Sequence, residues 1–165
     1  MIISQRIIDL LNYRIKEEKE SSMLYLSMSV WAGINGLFGA EKLWKKYADE
    51  EMEHSEWAMQ YLLDLNVKPT IPALDMPPQT FEGMQGIVGE TLKHEVDVTM
   101  QCQALAKACV EENDFMTLSL AQKYLAEQRD EIAKATYWSD RLTIFGTGAA
   151  CIRLLDDEMM KHAEQ

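Results

Sequence analysis

At 165 residues the chain has the length of one domain, and 47% hydrophobic residues are enough to bury a sizeable core. Its net charge of −11 speaks against nucleic acid or an anionic membrane surface as a partner and suits attraction of cations. No apolar run is long enough to cross a bilayer. Cys102, Cys109 and Cys151 lack metal-ligand spacing and read as free thiols in a reducing compartment. Ile2-Ile3 is followed at once by polar residues, unlike a secretory leader, so a cytoplasmic location is expected.

With only 8 glycines and 4 prolines, the chain reads as largely helical. From Ser4 to about Ala32 apolar positions recur at helical spacing, with the stripe Leu11, Ile15, Glu18, Ser22, Tyr25, Ser29. Gly33 to Gly36, with Gly39, marks a turn. A second helix, about Ala40 to Leu65, carries Trp44, Tyr47, Glu51, His54, Ala58, Leu62 and Leu65 on one face.

All four prolines fall between Asn66 and Thr80, an extended connector. Its roughly 14 residues reach about 45 Å, enough to run the length of a helix. The third helix, about Phe81 to Val110, is striped by Met84, Val88, Thr91, Glu95, Val98, Cys102 and Leu105. Residues 111–114 form the next turn. The fourth, about Phe115 to Leu142, carries Leu120, Tyr124, Gln128, Glu131, Ala135, Trp138 and Leu142. Gly146 and Gly148 precede a short fifth helix, about Ala149 to Lys161, with the apolar face Ile152, Leu155, Met159.

Each long helix thus places one glutamate in its inward stripe: Glu18, Glu51, Glu95 and Glu131. In an antiparallel hairpin, residues equidistant from the turn share a height. Glu18 and Glu51 are centred between Ile34 and Asn35, and Glu95 and Glu131 on Asn113, both inside the turns. Each hairpin therefore levels its own pair. Glu51 and His54, three apart, point from neighbouring turns to one spot. Four carboxylates converging with an imidazole repel one another unless protonated or bridged by cations. Inward Glu with Glu-x-x-His is the pattern of di-metal carboxylate bundles, and oxygen-rich ligands suit iron or manganese. The alternative is a plain bundle whose glutamates reach out to solvent.

The segments Glu18-Lys-Glu-Ser-Ser-Met-Leu-Tyr25, Glu50-Glu-Met-Glu-His54, Lys93-His-Glu95 and Tyr124-Leu-Ala-Glu-Gln128-Arg-Asp-Glu131 together resemble the bacterial non-haem ferritins over nearly the whole chain. The resemblance implies an all-α fold: a ferritin-like four-helix bundle over residues 1–165, with a long crossover between helices two and three and a short fifth helix. It also implies a twenty-four-subunit homo-oligomeric cage that oxidises Fe(II) with O2 or peroxide and stores the ferric product. Carried over, one iron site uses Glu18, Glu51 and His54, and the second Glu95, Gln128, Glu131 and a shared, bridging Glu51. Tyr25 assists electron transfer in the family; a buried, hydrogen-bonded tyrosine is the alternative. A weaker third iron site draws on Glu50, Glu127, Asp130 and Glu131, with Asp130 one methylene shorter than the family's usual glutamate.

Glu50, Glu53 and Glu56 form either a cavity-facing row or a solvated one. Glu131 is followed by Ile132, Ala133 and Lys134, so the second Glu-x-x-His of bacterioferritins and rubrerythrins is absent. Met52 reads as a packing residue, not a haem ligand, and His94 and His162 as surface histidines. The C-terminus has no basic tail like those of small DNA-protecting relatives. A non-oxidising cage subunit and a di-iron peroxidase of smaller assembly are the competing functions.

Overall fold

The computed structural model describes residues 3–165. Met1 and Ile2, part of the segment read as carrying no leader, lie outside the described residues. Among the described residues there are five helices: α1 (Gln5–Ile34), α2 (Phe38–Asp64), α3 (Gly83–Glu111), α4 (Phe115–Phe145) and α5 (Ala149–Ala163). The chain is all-α, as expected. Among the described residues no helix is long and apolar enough to cross a membrane.

The first three helices stop by the same device. Gly36, Asn66 and Asn113 each take a positive φ just past a helix end, a conformation open to glycine and tolerated by asparagine. The next amide then reaches back to the last turn: Leu37 to the Ala32 carbonyl, Val67 to Leu62 and Asp114 to Cys109, each 2.9 Å. Asp114 also opens α4 by accepting from the Thr117 amide at 2.9 Å, and Ser4 opens α1 by accepting from Ile7 at 3.2 Å. Gly39, expected in the turn, lies inside α2 because the Schellman closure at Gly36 already reverses the chain. The helix α4 runs three residues beyond the expected Leu142, and Gly146, at φ 82°, ends it.

Contacts across the bundle orient the four long helices. Ser22 donates to the Ala48 carbonyl and Ser29 to that of Glu41, which sets α1 and α2 antiparallel. Arg14 meets Gln101, Ser21 meets His94 and Tyr25 meets Glu95, so α3 runs against α1. Tyr47 pairs with Trp138 and Tyr61 with Thr117, which sets α4 against α2. Helix α3 is therefore parallel to α2, and the proline-rich connector must travel the whole bundle. It does so along α1: the Thr70 amide donates to Asn12, the Asp75 amide to Glu20, and Ser27 to the Pro78 carbonyl.

The core is split in two. One apolar cluster holds Tyr25, Met28, Trp44, Tyr47, Ile87, Val88 and Trp138, closed by Leu155 and Met159 of α5. The other holds Ile7, Leu11, Ile15, Leu62, Cys102 and Leu105. Between them lie Glu18, Glu51, His54, Glu95, Gln128 and Glu131, all buried. Such a polar layer opposes stability unless each group is paired, and among the described residues no buried side-chain nitrogen or oxygen lacks a partner. Leu120 and Leu142, expected in the α4 stripe, are only half-buried; Thr117 and Ala121 take the inward places in the first turns.

Candidate metal centre

Helical periodicity turns Glu18, Glu51, Glu95 and Glu131 into the bundle axis at mid-height, each no more than 4% exposed. Ligand atoms of Glu18, Glu51 and His54 lie within 4.8 Å of one another, and so do those of Glu51, Glu95 and Glu131. Glu51 belongs to both groups, the position a bridging carboxylate needs. His54 Nδ1 lies 3.3 Å from Glu51 Oε2, and its ring stacks at a tilt on Trp57, centroids 4.6 Å apart. Tyr124 holds this turn of α2: its hydroxyl donates to the His54 carbonyl at 2.8 Å and accepts from the Ala58 amide at 3.2 Å.

The third helix is tied in by Tyr25, whose buried hydroxyl donates to Glu95 Oε1. Gln128 Nε2 donates to the other oxygen of Glu95 at 2.8 Å, which leaves the Gln128 amide oxygen for an ion. Burial, and then the neighbouring Glu95 and Glu51 carboxylates, raise the Tyr25 pKa well above that of a free phenol. Burial likewise raises Glu51 well above the ordinary carboxyl value, helped by the charges of Glu18, Glu95 and Glu131. Burial lifts Glu131 to about 7, although the adjacent Lys134 pulls it down. Such a cluster favours protons or metal cations over bare charge.

Two buried or half-buried cations that spacing alone left unremarked also enter the site. Arg14, 1% exposed, donates from Nη2 to Glu18 Oε1 at 2.5 Å and from Nη1 to Gln101 Oε1 at 2.5 Å. Its position four residues before Glu18, on the same face as Leu11 and Ile15, was the available signal. Lys134, three residues after Glu131, donates to Glu131 Oε1 at 2.8 Å and to Glu50 Oε2 at 3.2 Å. Burial would lower the Lys134 pKa, but the Glu131 and Glu50 carboxylates outweigh it and raise it.

The residues expected around a third ion are not gathered as the inner groups are. Glu127, half-buried, approaches His54 Nε2 at 3.8 Å. Glu50 is engaged by Lys134. Asp130 is exposed and pairs with Arg129 at 2.9 Å, so its short side chain is held at the surface. Glu53 and Glu56 are exposed beside Trp57, Gln60 and Lys123, whereas Glu50 leaves their row to meet Lys134.

Neither expected surface histidine is free on the surface. His94 is half-buried, with Nε2 2.7 Å from the Ser21 hydroxyl and its ring edge-on to Tyr25. His162 packs on Tyr137 and Trp138, because α5 folds back over α4. Met52 is half-buried with its sulfur 3.5 Å from Lys19 Nζ. The three cysteines are unpaired, and burial pushes Cys102 and Cys109 up to about 11, which keeps them as inert thiols at neutral pH.

Comparison with known proteins agrees with this arrangement. The profile of the ferritin-like domain matches residues 8–144. The bacterial non-heme ferritin of Escherichia coli O157:H7 is 28% identical over 158 residues, 96% of each chain. That of Campylobacter jejuni is 28% identical over 155 residues, covering 94% of this chain and 93% of its own. Among solved structures, an open pore ferritin from the archaeon Archaeoglobus fulgidus superposes with a TM-score of 0.93 at 28% identity, over 96% of this chain and 97% of that one. Five helices in this order among the described residues, a mid-bundle layer of carboxylates with a histidine, and a family match over residues 8–144 leave one conclusion: the chain belongs to the ferritin family.

Proposed function

We propose that the protein is an iron-storage ferritin subunit whose mid-bundle site oxidises Fe(II), with residues 1–165 acting as one ferritin-like domain. The observation that supports the reading is the membership of Glu51 in both candidate ligand groups, which would let two ions share one carboxylate. Glu18 and His54 complete one subsite; Glu95 and Glu131, with the oxygen of Gln128, complete the other. Two ferrous ions are the substrate. Each gives one electron, and O2 takes both with two protons and leaves as hydrogen peroxide. With peroxide as oxidant, the same two electrons and two protons yield two waters.

The protein's part is geometry and charge. Glu51 and Glu131 have raised pKa values, so filling the site with cations displaces protons. In this reading Tyr25 passes an electron to or from the site; its hydrogen bond to Glu95 supports that role. Glu53 and Glu56, exposed on the same helix as Glu51, receive the ferric product. Storage needs a shell, and a homo-oligomeric cage of twenty-four copies is part of the proposal. Its support is the similarity to a structure named for its open pores, together with exposed apolar side chains on α1 and the connector. Val30, Ile34, Ile71 and Met76 are 55%, 82%, 73% and 84% exposed, apolar side chains along α1 and the connector that contact with neighbouring copies would cover. A cytoplasmic location completes the reading.

Anaerobic Fe(II) titration followed by air, read by absorbance and native mass, tests it. Wild type binds about two ions tightly per chain and oxidises them, while Glu18→Ala and His54→Ala chains bind fewer. A cage that takes up iron but leaves it ferrous under air points instead to the non-oxidising subunit, and a small oligomer to the peroxidase.

A further inference from the structure

We infer that Lys134 is a tethered cation that takes the place of a third metal ion, so that this chain's centre is built for two ions and no more. The inference rests on the proposed two-ion site and concerns the edge of that site facing Glu50. There the carboxylates that a third ion would need are already spent on cations of the chain. Lys134 Nζ bridges Glu131 Oε1 at 2.8 Å and Glu50 Oε2 at 3.2 Å. Asp130 Oδ1 is held by the guanidinium of Arg129 at 2.9 Å, on the exposed face of α4. Of the four acids, Glu127 alone has no lysine or arginine within ion-pair distance among the described residues, and it leans toward His54.

The ammonium is well placed to stay. Its stem is anchored on α4, one turn beyond Glu131, and the side chain is only 37% exposed. The Tyr47 ring lies 5.5 Å from Nζ and adds its negative face to the two carboxylates. An ion bridging Glu50 and Glu131 would have to displace this nitrogen, because both oxygens can touch one small cation between them and the nitrogen already does so. A tethered cation loses little freedom on pairing compared with a free ion, and it cannot dissociate. It also repels a divalent ion brought close to it.

The lysine therefore separates two jobs on neighbouring residues of α2. Glu51 faces inward to the ion pair, while Glu50, its immediate neighbour, is withdrawn from metal and tied to α4. That tie crosses between α2 and α4, the two helices that supply His54 and Glu131.

Binding of Zn(II), a redox-silent probe, to the assembled protein tests this by calorimetry with metal analysis of the dialysed product. Wild type and Lys134→Arg should each bind about two ions per chain. Lys134→Met should bind about three, and Lys134→Met combined with Glu50→Gln should return to about two, because the third ion would use Glu50. If Lys134→Met binds the same two ions as wild type, the lysine is not what excludes a third and the inference falls, while the two-ion reading stands. Three ions on wild type overturn it equally. No tight ions on wild type would remove the two-ion site itself and this inference with it.

Discussion

Arg14 and Glu18 are one helical turn apart in the dry middle of the bundle, both about 1% exposed. Burial opposes charge on both, and their contact at 2.5 Å, with Gln101 as a second acceptor, compensates. Removing one partner leaves the other charge stranded. Arg14→Leu should therefore destabilise the ion-free protein by roughly 3–5 kcal/mol in denaturant unfolding. Saturating Zn(II) should recover much of that loss, because a metal ion then neutralises Glu18 in place of the guanidinium. A loss of the same size with and without metal would mean that Arg14 acts through packing alone. The comparison separates charge compensation from the burial of an arginine stem.

At the scale of the element, α5 is held by backbone as much as by side chains. Gly39, buried in the first turn of α2, lets the α5 backbone pass so closely that a Cβ there would lie 1.9 Å from the Asp156 carbonyl oxygen. Asp156 in turn accepts from the Ala40 amide at 2.7 Å and so satisfies an open N–H of α2. Leu155 and Met159 are fully buried on the core beneath, and Arg141 pairs with Glu158 at 2.5 Å. A methyl group at position 39 meets main chain, which cannot rotate aside. Gly39→Ala should push α5 off its seat, lower stability by about 1–3 kcal/mol or more, and speed proteolysis after Gly146. Thermal unfolding and limited proteolysis on the same sample check both effects. The helix pairs α1–α2 and α3–α4 do not depend on this contact and should keep their helical signal.

For the whole molecule, the polar layer links stability to pH. The folded-state value of Glu131, about 7, lies above the ordinary 4.5. The folded protein therefore keeps a proton that the unfolded chain has released between those values, and stability falls as pH rises from about 4.5 to about 7. Each pH unit of that interval is worth about 1.4 kcal/mol, so this one residue contributes up to roughly 3 kcal/mol at low pH that is gone above pH 7. Glu51, raised for the same reasons, adds in the same direction. The ion-free protein should therefore melt at a lower temperature at pH 7.5 than at pH 5.5, and Glu131→Gln should flatten the slope. Divalent metal, which binds the ionised carboxylates, should reverse it. A melting temperature of the ion-free protein that rises across this interval would contradict the burial of these acids.

Much of this was legible in the chain itself because helices are local. The 3.6-residue repeat set which face of each helix turned inward, and it carried Glu18, Glu51, His54, Glu95, Gln128 and Glu131 there. Counting from the turns gave their common height within each hairpin, since the rise per residue is constant along a helix. What remained open depended on how separate helices face one another. The direction of α3, compatible with either sense of the crossover, is set by its pairing with α1 through Gln101, His94 and Glu95. The partners of long side chains were also out of reach: Lys134 could have reached solvent, but the packing of α4 against α2 brings Glu50 to it. Asp130, one residue from Glu131 yet on the outer face, went to Arg129 instead. Periodicity and turn spacing thus determined the buried ring of ligand types, because both follow from the geometry of a single helix. Only the tertiary structure decided which cations of the chain neutralise that ring, because this depends on distances between helices that no local repeat encodes.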